Sequence, residues 1–153
     1  MDKEQIIQAI LERLRVDFET HQTTSKMTRA ASNDSETKSE GKYDTRSTEE
    51  NYFADGLAKK ALAVAQAVQA FKDLPFEEFS ATQPINLGAL VKLSLVDDHA
   101  WFFLGPAAGG IEVECAGELV TVITTGSPLG HQILGKKVGD LISAPKAKIE
   151  SVE

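Results

Sequence analysis

Apolar residues recur at helical spacing in the first half of the chain and at strand spacing in the second. Ile7, Ile10, Leu11, Leu14 and Phe18 lie three and four residues apart and form one stripe. The stripe predicts a helix over residues 3 to about 22, with Asp2 as its cap and Glu4 at the favourable end of its dipole. Glu12, Arg13 and Arg15 fall off the stripe and read as solvated surface. A second seam runs through Phe53, Leu57, Ala61, Val64, Val68 and Phe71. Its alternating steps of three and four are those of an antiparallel helical hairpin or coiled coil. Ser47 with Glu50 predicts a capping box at the start of this helix, and Pro75 ends it. A helix over 46 to about 73 holds about 28 residues and is roughly 42 Å long.

Between the two stripes, from Thr20 to Ser47, polar residues dominate and Met27 and Tyr43 are the only large apolar or aromatic side chains. Two readings stand here. One is a disordered linker. The other is that the first helix continues through Thr24–Ala31 and the chain reverses around Asn33–Gly41. The segment from Asp73 to Pro84 reads as an interdomain linker held by Phe76 and Phe79.

After Pro84 the period changes. Leu87–Val96, Ala100–Leu104, Ile111–Cys115 and Leu119–Thr124 are short β-branched or aromatic runs, separated by Asp97-Asp98, Gly105-Pro106 and Ala116-Gly117. Val91–Leu95 and Ile111–Cys115 alternate, with one buried and one wet face each. A last strand is predicted over about Leu141–Val152, with Lys146, Lys148 and Glu150 outward. The expectation is an α+β chain: an N-terminal helical hairpin, then a twisted antiparallel sheet with one short helix packed on it.

That short helix lies in Ile123–Asp140. Ser127 stands where an N-cap belongs and Pro128 follows at N1. Leu129, Ile133 and Leu134 keep one face apolar. Gly135 is placed to take the left-handed conformation after the helix, and Val138-Gly139-Asp140 turns the chain into Leu141-Ile142.

Composition narrows the class. The chain has 153 residues, a net charge of −7 and one cysteine, Cys115. That suits one or two small domains, with no intrachain disulfide and a reducing, cytoplasmic setting. No apolar run approaches the roughly 20 residues needed to cross a bilayer, and the charged N-terminus is unlike a signal peptide. The acidic balance argues against sequence-independent duplex binding, which depends on phosphate neutralisation, but leaves room for local basic patches.

Few residues suggest chemistry. His21, His99 and His131 are scattered without zinc-ligand spacing. Ser127 has His131 four residues on, but lacks a nucleophile elbow and already has a capping role. The glycine-rich Gly105–Gly110 stretch lacks the end of a P-loop and reads as a turn between strands. Trp101, Phe102 and Phe103 are consecutive on a strand, so they cannot all line one pocket. The remaining feature is the carboxylate cluster of Asp34, Glu36 and Glu40, with Asp44 behind it. Carboxylates of this kind bind Mg²⁺ through one or two oxygens and leave its other positions to water or phosphate.

Ser127-Pro128-Leu129-Gly130, the aliphatic pair Ile133-Leu134 and Gly135-Lys136-Lys137-Val138-Gly139-Asp140 together resemble the C-terminal signature of the bacterial Gre transcript-cleavage factors, the GreA/GreB family. Gln132 departs from it, since the family usually has a small residue there. Lys42–Arg46 before the second helix and Phe103–Gly110 in the sheet resemble a divergent subgroup. The resemblance implies a coiled-coil finger over 1–74 with its tip at about 24–45, a linker over 75–84 and an FKBP-like domain over 85–153. It implies docking on bacterial RNA polymerase through the C-terminal domain, with Ser127, Pro128, Leu129, Gly130, Lys136 and Lys137 as partner-binding residues. The finger would enter the secondary channel, meet the 3′ end of the nascent RNA and stimulate cleavage of backtracked transcript.

In this picture the chain is no enzyme itself. It holds no cofactor stably, shares a Mg²⁺ with the polymerase active centre through Glu40, Asp34 and Glu36, and needs neither a membrane nor independent sequence-specific DNA binding. The family's acidic tip motif is matched only by Glu40 ahead of Tyr43, with the spacing one residue short. Asp34 and Glu36 are candidates by position. The other readings are a non-cleaving regulator of the same fold, a prolyl isomerase of the FKBP type, and a coiled-coil module that does not bind polymerase.

Overall fold

The stripe that begins at the N-terminus does not stop near residue 22. In the computed structural model, which describes residues 1–36, 45–96 and 98–153 and gives the backbone alone at 29, 31–36, 45–48, 50 and 51, the first helix, α1, runs Lys3–Glu36. The second, α2, runs Thr45–Lys72. The linker reading is therefore corrected for residues 20–36. The expected reversal at Asn33–Gly41 lies largely outside the described residues. The chain divides into two compact units, Met1–Arg13 with Ala67–Glu153, and Leu14–Gln66.

In the Leu14–Gln66 unit, α1 persists because polar side chains take up the seam. Leu14 is buried, Phe18 and His21 are half-buried, Ser25 is buried and Thr28 is half-buried. These positions continue the three-and-four spacing with side chains that hydropathy does not register. The Ser25 hydroxyl donates to the Ala54 carbonyl of α2 at 2.9 Å, which satisfies it in a buried setting. Thr20, Thr24 and Thr28 each donate to the carbonyl four residues back, at 2.8, 2.8 and 2.9 Å.

On α2 the seam is shifted by one residue at its start. Ala54 is fully buried and Phe53 is 60% exposed, whereas Leu57 and Ala61 are buried as expected. Ser25 reaches the Ala54 backbone, and an alanine leaves room for that approach. α2 begins at Thr45, so Ser47 stands inside its first turn rather than ahead of it.

The other unit holds the sheet. Its strands are β1 (Leu90–Ser94), β2 (His99–Gly105), β3 (Glu112–Cys115), β4 (Glu118–Thr124), β5 (Leu141–Ser143) and β6 (Lys146–Val152). A short helix, α3, covers Pro128–Ile133. The strand order is β3-β4-β2-β1-β6-β5. The α+β class is as expected, but the sheet is mixed: β2 and β4 pair in parallel. β3 and β4 form a tight hairpin through Ala116-Gly117, both at positive φ (54° and 80°), as a two-residue primed turn requires. Because β3 lies outside β4, β4 takes the place beside β2 and runs the same way.

The last expected strand is two strands joined at Ala144-Pro145. Pro145 has no N–H for a ladder, and the chain reverses there. Lys146, Lys148 and Glu150 are exposed as expected.

Both sheet faces are covered, as strict alternation allows. On one, Val91, Leu93, Leu104, Ile123 and Ile149 pack with Ile133 of α3 and with Ile85. On the other, Leu90, Phe103, Val120 and Val122 are fully buried, and Phe103 stacks on Phe71 of α2 with centroids 6.1 Å apart. Asp2 caps α1 by accepting from the N–H groups of Glu4 and Gln5 at 3.0 and 3.3 Å. Lys3 is buried. Its ammonium lies 5.2 and 4.9 Å from the ring centroids of Phe76 and Phe79 and donates to the Glu77 carbonyl. Burial pulls its pKa below the usual lysine value, opposed by the charges of Glu78, Glu77 and Glu153.

Candidate docking site at the short helix

The corner from Thr124 to Asp140 is built from its sequence in three steps. Ser127 has extended dihedrals (φ −76°, ψ 153°), and its hydroxyl accepts from the Gly130 N–H at 3.0 Å and donates to the Thr124 carbonyl at 2.8 Å. Pro128 follows at N1. These are the expected roles, and they commit the Ser127 hydroxyl proton to a backbone carbonyl.

Gly130 is required by the same carbonyl. A Cβ at this position would fall 1.9 Å from Thr124 O, a backbone atom that cannot swing aside. The helix then stops at Ile133. Leu134 donates to the Gly130 carbonyl, and Gly135 (φ 78°) donates to the Ile85 carbonyl at 2.8 Å. Ile85 returns a bond to the Lys136 carbonyl at 2.7 Å, so the end of the 75–84 segment is tied to the signature.

The last step is a turn over Lys137-Val138-Gly139-Asp140. Asp140 N donates to the Lys137 carbonyl, Gly139 has φ 94°, and the Asp140 carboxylate accepts from the Lys137 N–H at 2.8 Å. Positive φ at the third position is the geometry of a type II turn.

Most of the signature is thus accounted for by covalent and hydrogen-bond geometry. Of the six residues assigned to a partner, Gly130 is buried, Ser127, Leu129 and Lys136 are half-buried, and Pro128 and Lys137 are exposed. Leu134, expected on the apolar face, is 41% exposed, since it follows the last helical turn.

One residue the pattern did not assign is Gln132. Its Oε1 accepts from Ser143 N, Ser143 Oγ and Ala144 N at 3.0, 3.0 and 3.1 Å, and its Nε2 donates to the Ala144 carbonyl at 2.8 Å. The departure from the family pattern is therefore a side chain that clamps α3 to the β5–β6 turn. Its unusual polarity at a position expected to be small was the available signal.

The tip candidates are placed as follows. Asp34 and Glu36 lie in the last turns of α1, where the backbone alone is described. Glu40 and Asp44 lie outside the described residues. Among the described residues, no group of three or more His, Cys, Asp or Glu is arranged to hold a metal ion. His99 Nε2 lies 3.2 Å from a Glu118 oxygen on the surface, and His131 is exposed on α3. Trp101 and Phe103 point to one sheet face and are buried, and Phe102 packs on the other, so the three rings share no pocket. No helix among the described residues is long and apolar enough to cross a membrane.

No protein-family model and no curated protein matches the chain. Seven chains of solved structures do. GreA factor homolog 1 (Gfh1) of Thermus thermophilus is 18% identical, with 97% of this chain and 93% of that chain covered and a TM-score of 0.36. A structure described as the transcription factor Gfh1 is 19% identical, with 95% and 94% covered and a TM-score of 0.36. Thermus aquaticus Gfh1 is 17% identical, with 93% and 92% covered and a TM-score of 0.37.

Proposed function

We propose that this chain is a Gre-like transcription elongation factor acting in the cytoplasm on bacterial RNA polymerase. Residues 85–153 dock on the rim of the secondary channel, and the helical residues 1–74 enter it. Asp34, Glu36 and Glu40 at the tip then support a Mg²⁺ held mainly by the polymerase and stimulate cleavage of backtracked RNA. The chain contributes carboxylates to the polymerase active centre and has no catalytic centre of its own. It meets the RNA 3′ end only within the complex.

The observation that carries this reading is the Ser127–Asp140 run. It resembles the family signature, with Gln132 as a departure, and its capping, steric and turn requirements are all met, with Pro128 and Lys137 left facing solvent. A pair of polymerase-bound metals can activate an attacking water and stabilise the leaving oxygen. An extra carboxylate acts there by holding the more labile, more hydrated ion.

The test is a transcript-cleavage assay on stalled polymerase complexes. The wild-type chain is expected to stimulate cleavage, and Asp34→Ala, Glu36→Ala and Glu40→Ala together to abolish it while binding survives. Extra Mg²⁺ is expected to restore part of the activity of each single variant, with Glu40→Ala the most affected. Unchanged stimulation in the triple variant overturns the catalytic tip. The departure of the tip from the family motif favours a second reading, a non-cleaving regulator at the same channel. Wild-type binding without cleavage would select it.

A further inference from the structure

A buried charge in the sheet unit has no part in the docking corner. Lys3 is the first residue of α1, and its side chain is buried. A cation at the N-terminal end of a helix opposes the helix dipole, and burial adds a desolvation cost. The segment between α2 and β1 offsets both. Glu77 gives its carbonyl to the ammonium, and the rings of Phe76 and Phe79 lie beneath it with centroids at 5.2 and 4.9 Å. The Glu78, Glu77 and Glu153 carboxylates attract it, and Glu153 is also in contact with the Met1 amino group.

The segment that holds Lys3 forms neither helix nor strand. Between the end of α2 at Lys72 and the start of β1 at Leu90 the chain is a strap of turns and irregular backbone. Glu77 and Glu78 are exposed, and Phe76 is 58% exposed, so burial does little to fix its ring. Farther along, the strap is fastened to the docking corner. Ile85 donates to the Lys136 carbonyl at 2.7 Å and accepts from Gly135 at 2.8 Å.

Phe79 connects the two ends of this strap. It is half-buried and lines two clefts. It shares one, of about 370 Å³, with Lys3, Phe76 and Glu78. It shares the other, of about 470 Å³, with Ile85, Leu134 and Gly135. The same ring packs against the core that contains Ile85 and Ile133. One aromatic side chain therefore stands between the Lys3 ammonium and the end of the docking corner.

We propose that Lys3 is a cationic pin for residues 76–79 of the strap, and that through Phe79 it sets the shape of the cleft beside Leu134 and Gly135. With the charge in place, both rings and the Glu77 carbonyl are drawn onto it, and Phe79 is held as the wall of that cleft. Loss of the charge removes the cation–π and ion–dipole attractions together. Phe79 is then free to turn, and the wall loosens. All of these residues belong to the Met1–Arg13 and Ala67–Glu153 unit, and the inference does not depend on the polymerase reading.

The experiment compares, in the full chain, Lys3→Met, which keeps a long stem without charge, and Lys3→Arg, which keeps the cation. A glutamate-specific protease cuts after Glu77 and Glu78, and under native conditions its rate reports how often the strap opens. Lys3→Met is expected to be cut there about tenfold faster, the scale of a desolvated cation–π contact, with Lys3→Arg within about twofold of the wild type. The amide NMR signals of Ile85 and Gly135 are expected to shift in Lys3→Met as well. Replacing a buried charge by an apolar side chain is often neutral or stabilising, so the denaturation midpoint should not fall. If it does, Phe76→Leu takes its place, with faster cleavage expected from a change at an exposed site. Cleavage of Lys3→Met at the wild-type rate overturns the pin, as does equal acceleration in Lys3→Arg. Faster cleavage with Ile85 and Gly135 unshifted overturns the coupling to the cleft.

Discussion

The sheet unit and the Leu14–Gln66 helical unit bury their seams with different kinds of side chain. In the sheet, large residues such as Leu93, Leu104, Phe103 and Ile149 are fully excluded from water on one face or the other. In the helical unit the buried positions include Ser25, Ala54 and Ala61, whereas Phe53, Met27 and Leu62 are exposed. Hydrophobic stabilisation scales with apolar area removed from water, roughly 25 cal/mol per Å². The sheet is therefore where single substitutions cost most. The helical seam joins buried Leu14 and Leu57 with small side chains and, among the described residues, a buried Ser25–Ala54 hydrogen bond, and it should tolerate change at Phe53, Met27 and Leu62, which it leaves exposed.

The comparison is broken most sharply by truncating its largest members. Phe103→Ala should cost about 3–5 kcal/mol in a denaturant titration, because Phe103 is fully buried against Phe71. Phe53→Ala should stay within about 0.5 kcal/mol, as an exposed site does, and Ala54→Leu should cost about 1–3 kcal/mol by overpacking. A costly Phe53→Ala with a silent Ala54→Leu would restore the seam expected from the spacing.

Next in size is the corner. Gly130→Ala forces a Cβ into Thr124 O and should cost about 3 kcal/mol. Gly126→Ala, with nothing within 4 Å of its Cβ, serves as the control. Gln132→Ala removes the clamp on the β5–β6 turn and should cost about 1–2 kcal/mol, with hydrogen exchange rising first at Ser143 and Ala144. Ser127→Ala should cost about 1 kcal/mol through the lost cap. If Ser127→Ala instead removes polymerase binding at an unchanged midpoint, the serine contacts the partner directly.

The smallest effect is a pH dependence. Burial lowers the folded pKa of Lys3 below its unfolded value of 10.5. Between the two values the unfolded chain binds more protons, so stability should rise with pH through that window. The contribution is complete above 10.5 and lost as pH falls through the lowered folded value. Lys3→Met should flatten that part of the profile.

The sequence disclosed those features whose causes are local. Ser127, Pro128, Gly135 and Gly139 act on their own turns, and their roles could be read from neighbours one to four positions away. The β-runs were legible because they are β-branched or aromatic and bounded by turn residues, and two of them, Val91–Leu95 and Ile111–Cys115, alternate. What was hidden depends on distant partners. Gln132 is explained by Ser143 and Ala144, and Lys3 by Phe76, Glu77 and Phe79. The length of α1 was obscured because His21, Ser25 and Thr28 hold seam positions without being apolar. The parallel β2–β4 pair depends on which edge β3 takes, which no spacing encodes. The tip was legible only as an acidic cluster, because the role proposed for it depends on a metal held by another protein.

The central claim is tested most directly by measuring binding of the full chain to bacterial core RNA polymerase. Pro128→Ala with Lys137→Glu alters the two exposed residues among the six assigned to the partner and should weaken binding about tenfold, roughly 1.4 kcal/mol, with an unchanged denaturation midpoint. The Asp34, Glu36 and Glu40 triple alanine variant should bind as the wild type does. Saturable wild-type binding with that pattern is the predicted result. A wild-type chain that does not bind the polymerase, or binds it equally well when Pro128 and Lys137 are changed, contradicts the account.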